Sequence, residues 1–325
     1  MPVPTRSRRP LVVSVLGAGL LLTGCGVWPS QATAPADAVT GRITLGFVNG
    51  GTTEFHTCLQ ESVERTARNN GVHLFTANSR QDGDTEVSNI EAMIARKVDA
   101  LIVQTVDVDA LKGDIAEAKA AGVPIFLTSV APGDTSDLLG AVVVDLKEVG
   151  ELDAEWVERD AAGRKVSVAV IAGAPGAASD LLTAAFTQRL PDNAEVVASR
   201  PGMYDPVKAR TVAAAMIKDN PGLDYAFVAN EEMAFAARKA FDAAGAEDVR
   251  IVTVNGTDEA LAALKAGSLA ATVSNSAADT GELAVQNVVS LLRKDRRADR
   301  IDKTPIRLVT RDNADTAPLY CPPQD

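Results

Sequence analysis

Short apolar runs alternate with longer amphipathic stretches along most of the chain, from Arg42 onward. The run Ile43 to Val48 predicts a strand, and the spacing of apolar residues over Phe55 to Asn70 predicts a helix. Asn70-Gly71 is a typical helix end, and the next strand follows over Val72 to Thr76. The same alternation predicts strands over 100–106, 123–128, 138–144, 166–171, 196–199, 225–229, 251–254 and 306–310, and helices over 85–96, 111–121, 146–162, 179–190, 206–220, 232–244 and 278–293.

This alternation predicts parallel sheets with helices on both faces, because parallel strands are joined by helical crossovers. The rhythm occurs twice, and 325 residues are enough for two domains. We therefore predict an α/β fold of two doubly wound parallel-sheet lobes. Ligands of open parallel sheets bind beyond the carboxyl ends of the strands, so two facing lobes would share one cleft there.

Polar residues directly follow several of these strands. Asn230 follows the strand at 225–229, Asn255 follows 251–254, and Asn275 follows Val273-Ser274. An asparagine side chain offers donors and an acceptor, which suits ligand hydroxyl groups. Asparagine at a strand end also forms turns without any ligand, and the residues alone leave both interpretations open.

The N-terminal segment has the pattern of an export signal. Three arginines precede an apolar stretch from Leu11 to Leu22, which is roughly 12 residues long and shorter than the ~20 that span a bilayer. Residues 1–24 therefore predict a signal peptide, and its export route, general secretory or twin-arginine, stays open. Leu22-Thr23-Gly24-Cys25 is similar to a lipobox, which implies that Cys25 is acylated. Residues 25–41, rich in Ala, Pro, Ser and Thr, predict a flexible tether.

Charge and composition exclude several classes of protein. The chain has a net charge of −11 and no basic stripe, which argues against nucleic-acid binding. The only imidazole bases are His56 and His73, and no Gly-x-Ser-x-Gly elbow, metal-ligand cluster or Gly-rich phosphate loop is present. We therefore predict a protein that is not an enzyme and that holds no cofactor or metal.

Two cysteines remain if Cys25 carries the lipid. Outside the cytoplasm such a pair usually forms a disulfide, so we expect Cys58 to bond to Cys321. This bond would tie the C-terminal tail to the first helix. The alternative is that Cys58, three residues after Phe55, simply fills the apolar face of that helix.

Several motifs resemble those of the periplasmic sugar-binding proteins of the ribose/galactose type. They are Ala229-Asn230-Glu231-Glu232-Met233-Ala234, Val254-Asn255-Gly256-Thr257 and the segment Gly267 to Val273. The similarity extends from about Arg42 to about Asn313. It implies two lobes joined by three crossings of the chain, closure of the lobes on a ligand, and delivery to an ATP-driven permease. The predicted bounds are 42–145 with 276–303 for lobe I, and 146–275 with 304–325 for lobe II and the C-terminal tail.

The resemblance also implies which residues contact the ligand. Thr52, Glu54 and Phe55 occupy the loop after the first strand, where the family places a polar and an aromatic contact. Tyr204 matches an aromatic residue that stacks on the ligand ring. The three asparagines match polar contacts of the second lobe. The candidate ligand-binding residues are Thr52, Glu54, Phe55, Ser129, Asp180, Tyr204, Asn230, Asn255 and Asn275.

Two charged contacts of the family are missing from this chain. Ser129-Val130 stands where the family commonly has Asp-Arg, and Asp180-Leu181-Leu182 stands where an arginine is expected. Bidentate arginines usually bind carboxylates or phosphates, so their absence argues against a strongly anionic ligand. We predict a monomeric, lipid-anchored protein of the cell membrane that captures a sugar or polyol for an ABC importer. Presentation of the ligand to a membrane receptor kinase, and an amine or nucleoside-like ligand, stay open as alternatives.

Overall fold

The computed structural model describes residues 41–295, 297 and 299–323. The predicted signal peptide, the predicted acylation site Cys25 and nearly all of the predicted tether lie outside the described residues. Within the described part of the chain, no helix is both long and apolar enough to cross a membrane. The strands are β1 (Thr44–Asn49), β2 (His73–Asn78), β3 (Ala100–Gln104), β4 (Ile125–Ser129), β5 (Gly140–Val143), β6 (Val166–Ala172), β7 (Ala194–Pro201), β8 (Tyr225–Val228), β9 (Arg250–Asn255), β10 (Ala271–Asn275), β11 (Ile301–Lys303) and β12 (Ile306–Thr310).

Helices alternate with these strands for most of the chain. A short 3₁₀ turn, Ala314–Thr316, follows the last strand. The α-helices are α1 (Glu54–Asn69), α2 (Gly83–Ala95), α3 (Lys112–Ala120), α4 (Leu146–Ala161), α5 (Ala177–Arg189), α6 (Pro206–Asp219), α7 (Glu231–Ala243), α8 (Asp258–Ala266) and α9 (Ala277–Leu292).

The strands form two six-stranded sheets with the predicted doubly wound arrangement. The first sheet has the order β11-β5-β4-β3-β1-β2, and the second has the order β12-β10-β9-β8-β6-β7. Neighbouring strands are parallel except for β12, which runs antiparallel to β10 at the edge of the second sheet. In both sheets the chain starts one strand in from an edge, adds the edge strand and then winds across the sheet in the other direction, which brings the carboxyl ends of the parallel strands to one edge.

Central strands are buried on both faces because helices cover both sides of each sheet. All side chains of Ala100 to Val103 in β3 and of Val168 to Ile171 in β6 are fully buried. Continuous apolar runs of this kind are typical of parallel sheets, and each buried Val or Ile side chain contributes roughly 1.5–3 kcal/mol. Helix ends are fixed by side-chain caps, as where Asp145 accepts a hydrogen bond from the backbone N–H of Glu148 at the start of α4.

The chain passes between the two lobes three times. It does so between β5 and α4, between β10 and α9, and between β11 and β12, because α4 packs on the second sheet and α9 on the first. The first sheet with its helices is called the first lobe below, and the second sheet with its helices the second lobe.

The C-terminal tail returns from the second lobe to the first. Thr316 accepts a hydrogen bond at its carbonyl from Nη1 of Arg307 at 2.7 Å, within the second lobe. Tyr320 is 2% exposed in the apolar core of the first lobe, and its carbonyl accepts from the N–H of Ala278 at 3.0 Å. The structure bonds Cys321 to Cys58 of α1. Burial of Tyr320 and the bond to Cys58 therefore hold the end of the C-terminal tail on the first lobe.

Strand β10 was recognised from the sequence only at its end, Val273-Ser274, and two further elements, α8 and β11, were not anticipated. Helix α8 follows Asn255-Gly256-Thr257 after a single turn, and Thr257 caps it by accepting from the N–H of Ala260. Strand β11 has only three residues at the edge of its sheet, with Ile301 exposed, so it carries no apolar run that would predict a strand.

Candidate ligand-binding cleft

A cavity of about 180 Å³ lies between the two lobes, at the carboxyl ends of the central strands. Its volume is below the roughly 300–1,000 Å³ of sites for drug-sized ligands, so it suits a small molecule. Both lobes contribute polar side chains to it. Among the lining residues are Thr53, Phe55, His56, Gln104 and Ser129 from the first lobe and Ser179, Tyr204, Asn230, Asn255 and Asn275 from the second.

The first-lobe side depends on two glycines directly after β1. The N–H of Gly50 donates to Oε1 of Gln104 at 3.0 Å. A Cβ atom on Gly50 would lie 2.5 Å from that oxygen and 2.7 Å from the carbonyl oxygen of Gln104, and a Cβ on Gly51 would lie 2.6 Å from Cε1 of His56. The absence of side chains at these two positions therefore lets Gln104 and His56 pack against the loop.

The start of α1 fixes the imidazole of His56. Oγ1 of Thr53 lies 2.8 Å from Nδ1 of His56, and Nδ2 of Asn49 donates to the backbone carbonyl of His56 at 2.8 Å. Burial lowers the pKa of His56 to about 4, because the charged ring would lose its hydration. The ring is therefore neutral at physiological pH.

Asn230 serves the fold and the cleft together. It is the N-cap of α7, where its Oδ1 accepts from the N–H of Met233 at 3.0 Å, and it is 5% exposed at the cleft wall. Asn230 is thus both the cap of a helix and a residue of the cleft wall.

Two buried polar atoms at the cleft have no hydrogen-bond partner among the described residues. They are Oδ1 of Asn275 and Oγ of Ser129. Buried polar groups are nearly always hydrogen-bonded, and an exception at a binding cleft indicates a group that a ligand or ordered water satisfies. Asn275 is itself 7% exposed, at the end of β10.

Three cleft residues have backbone angles that are rare for residues with a side chain. The φ angles are 70° at Ser129, 53° at Tyr204 and 138° at Asn255. Such angles cost free energy and cluster at functional sites. The ring of Tyr204 covers Gly173 so closely that any Cβ at Gly173 would collide with it. Burial also raises the pKa of Tyr204 to about 12, so its hydroxyl stays protonated.

Glu231, next to Asn230, lies below the cleft rather than in its wall. It is 1% exposed, and its carboxylate accepts from the N–H groups of Gly256 and Thr257 at 2.7 and 2.9 Å and from Oγ1 of Thr272 at 2.6 Å. Burial raises its pKa to about 7 against the opposing effect of these donors. Glu231 therefore holds the loop that carries Asn255.

The structure brings six of the nine candidate residues together. Thr52, Glu54 and Asp180 are exposed and lie outside the cleft lining. Contact of any of the nine with a ligand stays a prediction. The six that line the cleft are Phe55, Ser129, Tyr204, Asn230, Asn255 and Asn275.

Sequence reasoning missed several polar residues of the cleft. His56 was weighed only as a possible catalytic base, and Gln104 at the end of β3 was not considered. The adjacent Gly50-Gly51 pair was the available signal, because two glycines after a strand indicate close approach of other groups.

Charged side chains lie at the mouth of the cleft and not in its lining. The lining contains no Asp, Glu, Lys or Arg from the described residues. At the mouth, Oε1 of Glu232 in the second lobe accepts from the N–H of Glu54 in the first at 3.2 Å. The pKa of Glu54 is raised by partial desolvation of its carboxylate, and further by the negative charges of Glu232, Glu259 and Asp258. The interior thus presents amides, hydroxyls and rings.

A family model described as the periplasmic binding protein domain matches residues 45–296. The chain belongs to this periplasmic binding protein family. The ribose import binding protein of Bacillus subtilis is 26% identical over 293 residues, which cover 89% of this chain and 95% of the relative. The xylitol-binding protein of Mycolicibacterium smegmatis is 27% identical over 320 residues, covering 94% of this chain and 86% of the relative.

Solved structures of periplasmic binding proteins have the same fold. The binding protein of the arabinose ABC transporter from Shewanella sp. ANA-3, bound to α- and β-L-arabinofuranose, is 27% identical with a TM-score of 0.79, covering 84% of this chain and 93% of that one. A solute-binding protein from Bacillus halodurans with bound myo-inositol is 24% identical with a TM-score of 0.80, covering 85% and 97%. The predicted fold of two doubly wound parallel sheets is therefore confirmed for this periplasmic binding protein.

Proposed function

We propose that this protein is the substrate-binding protein of an ABC importer and captures an uncharged sugar or polyol in the cleft. The observation that carries the proposal is the cleft lining, in which both lobes present amide, hydroxyl and aromatic groups without a charged side chain. The relatives named for ribose and xylitol support this ligand class. An amine ligand is less well supported, because no carboxylate of the described lining would balance its charge.

Capture requires groups that bond hydroxyls and others that cover carbon atoms. The unpartnered Oδ1 of Asn275 and Oγ of Ser129 accept hydrogen bonds from ligand hydroxyls, one from each lobe. The rings of Phe55 and Tyr204 cover the apolar faces of the ligand. A ligand held by both lobes favours the closed arrangement, with hinge motion at the three crossings.

The site of action is outside the cytoplasm, where periplasmic binding proteins function. Acylation of Cys25 would hold the protein at the membrane beside its permease, with the residues before the first lobe as a tether. The bond between Cys58 and Cys321 is consistent with an oxidising compartment.

A thermal-shift screen of the purified protein tests the proposal. Neutral pentoses, hexoses, pentitols and inositols form one group of compounds, and amines, nucleosides and sugar acids form the other. A ligand at about 100 times its Kd stabilises the protein by roughly 2.7 kcal/mol, which raises Tm measurably. We expect a shift with one or a few neutral compounds. Shifts confined to amines or nucleosides would contradict the proposed ligand class, and shifts with no compound of either group would contradict capture of a small polar ligand.

A further inference from the structure

Helix α1 differs from most helices of the chain at its start. Six helices follow a residue whose side chain accepts a hydrogen bond from a backbone N–H of the first turn, namely α2, α4, α6, α7, α8 and α9. Thr53 stands at this position before α1 and is a residue type that caps helices well, yet its side chain makes no such bond. Its Oγ1 pairs with Nδ1 of His56 instead. The described residues of the first lobe therefore provide no side-chain cap for α1.

The second lobe provides the cap that the first lobe lacks. Oε1 of Glu232, in the first turn of α7, accepts from the N–H of Glu54, the first residue of α1, at 3.2 Å. Its Oε2 accepts from Nδ2 of Asn230 at 3.4 Å, which orients the carboxylate. Helix α7 is already capped by Asn230 itself. A carboxylate at a helix N-terminus is stabilising, because the N–H groups there have no partner within the helix and carry partial positive charge.

The side-chain charges around this contact oppose it. The carboxylate of Glu54 lies near three negative side chains of the second lobe, and they raise its pKa beyond the effect of partial desolvation. The three are Glu232, Asp258 and Glu259. No salt bridge of the described residues involves any of these carboxylates. Closure therefore brings like charges together at the mouth, and the backbone N–H of Glu54 supplies the attraction that offsets their repulsion.

We propose that Glu232 is an interlobe latch, which stabilises the closed arrangement by capping α1 from the opposite lobe whether or not a ligand is bound. Glu232 is absent from the cleft lining, so it acts on closure and not on the ligand. When the lobes open, α7 moves away from α1 and water replaces the carboxylate at the N–H of Glu54. The latch therefore favours the closed form alone, and it should tighten binding of every ligand by the same factor.

Small-angle X-ray scattering of the ligand-free protein tests the latch without reference to the proposed function. Glu232→Ala removes the acceptor, so we expect a larger radius of gyration than for the wild type, because the open form gains population. Glu259→Ala is the matched control, since it removes a negative charge from the mouth but no contact with α1. Its radius should equal that of the wild type or be smaller. Equal radii for Glu232→Ala and the wild type would overturn the latch.

Two substitutions of Glu54 isolate the hydrogen bond. Glu54→Pro removes the N–H that Glu232 accepts, and proline suits the first residue of a helix when the residue before it is extended, as Thr53 is with φ −67° and ψ 169°. Glu54→Gln removes the charge of the side chain and keeps the N–H. Glu232→Ala is combined with each, which gives the same change in the presence and in the absence of the donor.

Calorimetric titration with D-ribose, L-arabinose, xylitol and myo-inositol measures the affinities of these variants, and this arm rests on the proposed function. In the Glu54→Gln background we expect Glu232→Ala to weaken binding of each probe that binds by about fivefold, the effect of losing a typical helix cap. In the Glu54→Pro background the same substitution should change binding by less than about twofold, because the donor is already absent.

The outcomes separate the latch from the proposed function. Equal losses in the two backgrounds, or no loss in either, would overturn the latch while the proposed function stands. A loss confined to one of several probes that bind would also overturn it, because it would assign Glu232 to a ligand contact. If the thermal-shift screen finds no neutral ligand, the proposed function is contradicted, and the scattering comparison decides on the latch by itself.

Discussion

The two sides of the cleft position uncharged polar groups in different ways. On the second-lobe side, Asn255 and Asn275 are the last residues of their strands, so the sheet itself fixes them. On the first-lobe side, His56 packs against Gly51 and Gln104 packs against Gly50, in the loop that follows β1. The polar groups of the second-lobe side are held by hydrogen bonds beneath the cleft. Those of the first-lobe side occupy space that is open because residues 50 and 51 have no side chain. Substitutions should therefore act by different mechanisms on the two sides.

The largest effect is expected from Glu231→Ala on the second-lobe side. It removes the acceptor of three donors, the N–H groups of Gly256 and Thr257 and the hydroxyl of Thr272, all of them buried. Each unpaired donor costs about 1–3 kcal/mol, so we expect a loss of about 3–5 kcal/mol in the free energy of unfolding. Urea unfolding measures this loss. Glu232→Ala is the adjacent control, and an equal loss there would contradict the structural role of Glu231.

Acidification should affect the two sides with opposite sign. The pKa of His56 is about 4 in the folded protein and about 6.5 when unfolded, so the unfolded chain takes up the proton first. Stability from this residue is complete above pH 6.5 and falls by at most about 3 kcal/mol as pH drops to 4.

Glu231 behaves in the opposite way. Its pKa of about 7 in the folded protein exceeds the unfolded value near 4.5, so its contribution is complete below pH 4.5 and lost by up to about 3 kcal/mol as pH rises to 7. Unfolding curves from pH 4 to 7.5 test both effects. Relative to wild type, His56→Phe should gain stability on acidification and Glu231→Gln should gain it as pH rises. Parallel profiles for all three proteins would contradict both assignments.

Asn275→Ala and Asn230→Ala sharpen the comparison within the second lobe. Oδ1 of Asn275 has no partner among the described residues, so its removal should weaken ligand binding by about 1–3 kcal/mol with little change in Tm. Asn230 also caps α7, so Asn230→Ala should weaken binding and cost about 1 kcal/mol of stability. Calorimetry and thermal unfolding separate the two quantities. Unchanged affinity in Asn275→Ala would remove that residue from the binding site.

Gly51→Ala should have the smallest effect and the most local one. The added Cβ would lie 2.6 Å from Cε1 of His56, so the ring or the loop must shift to make room for it. We expect a several-fold loss of affinity with about 1 kcal/mol or less of destabilisation. Gly133→Ala serves as the control, because a Cβ there would meet nothing within 4 Å. Similar affinities in the two variants would show that the position of the ring is unimportant.

The sequence predicts the cleft residues of the second-lobe side better than those of the first-lobe side. Alternating apolar runs predict the two parallel sheets, and residues at strand ends, such as Asn255 and Asn275, reach the cleft because the sheet carries them there. Thr52 lies in the loop after β1 and Glu54 begins α1; both are exposed, and no apolar periodicity determines which way such residues face. The position of the His56 ring depends on contacts with Gly51 and with Gln104, and Gln104 is distant in sequence.

The C-terminal tail limits how far the protein can open. Thr316 is bound to the second lobe, and Tyr320 is fixed in the core of the first beside the bond between Cys321 and Cys58. Four peptide steps separate these anchors, and a fully extended chain covers at most roughly 3.3–3.6 Å per step. The anchors can therefore move no more than about 14 Å apart. The tail acts as a mechanical stop of fixed length, and the covalent bond prevents an opening lobe from pulling it free.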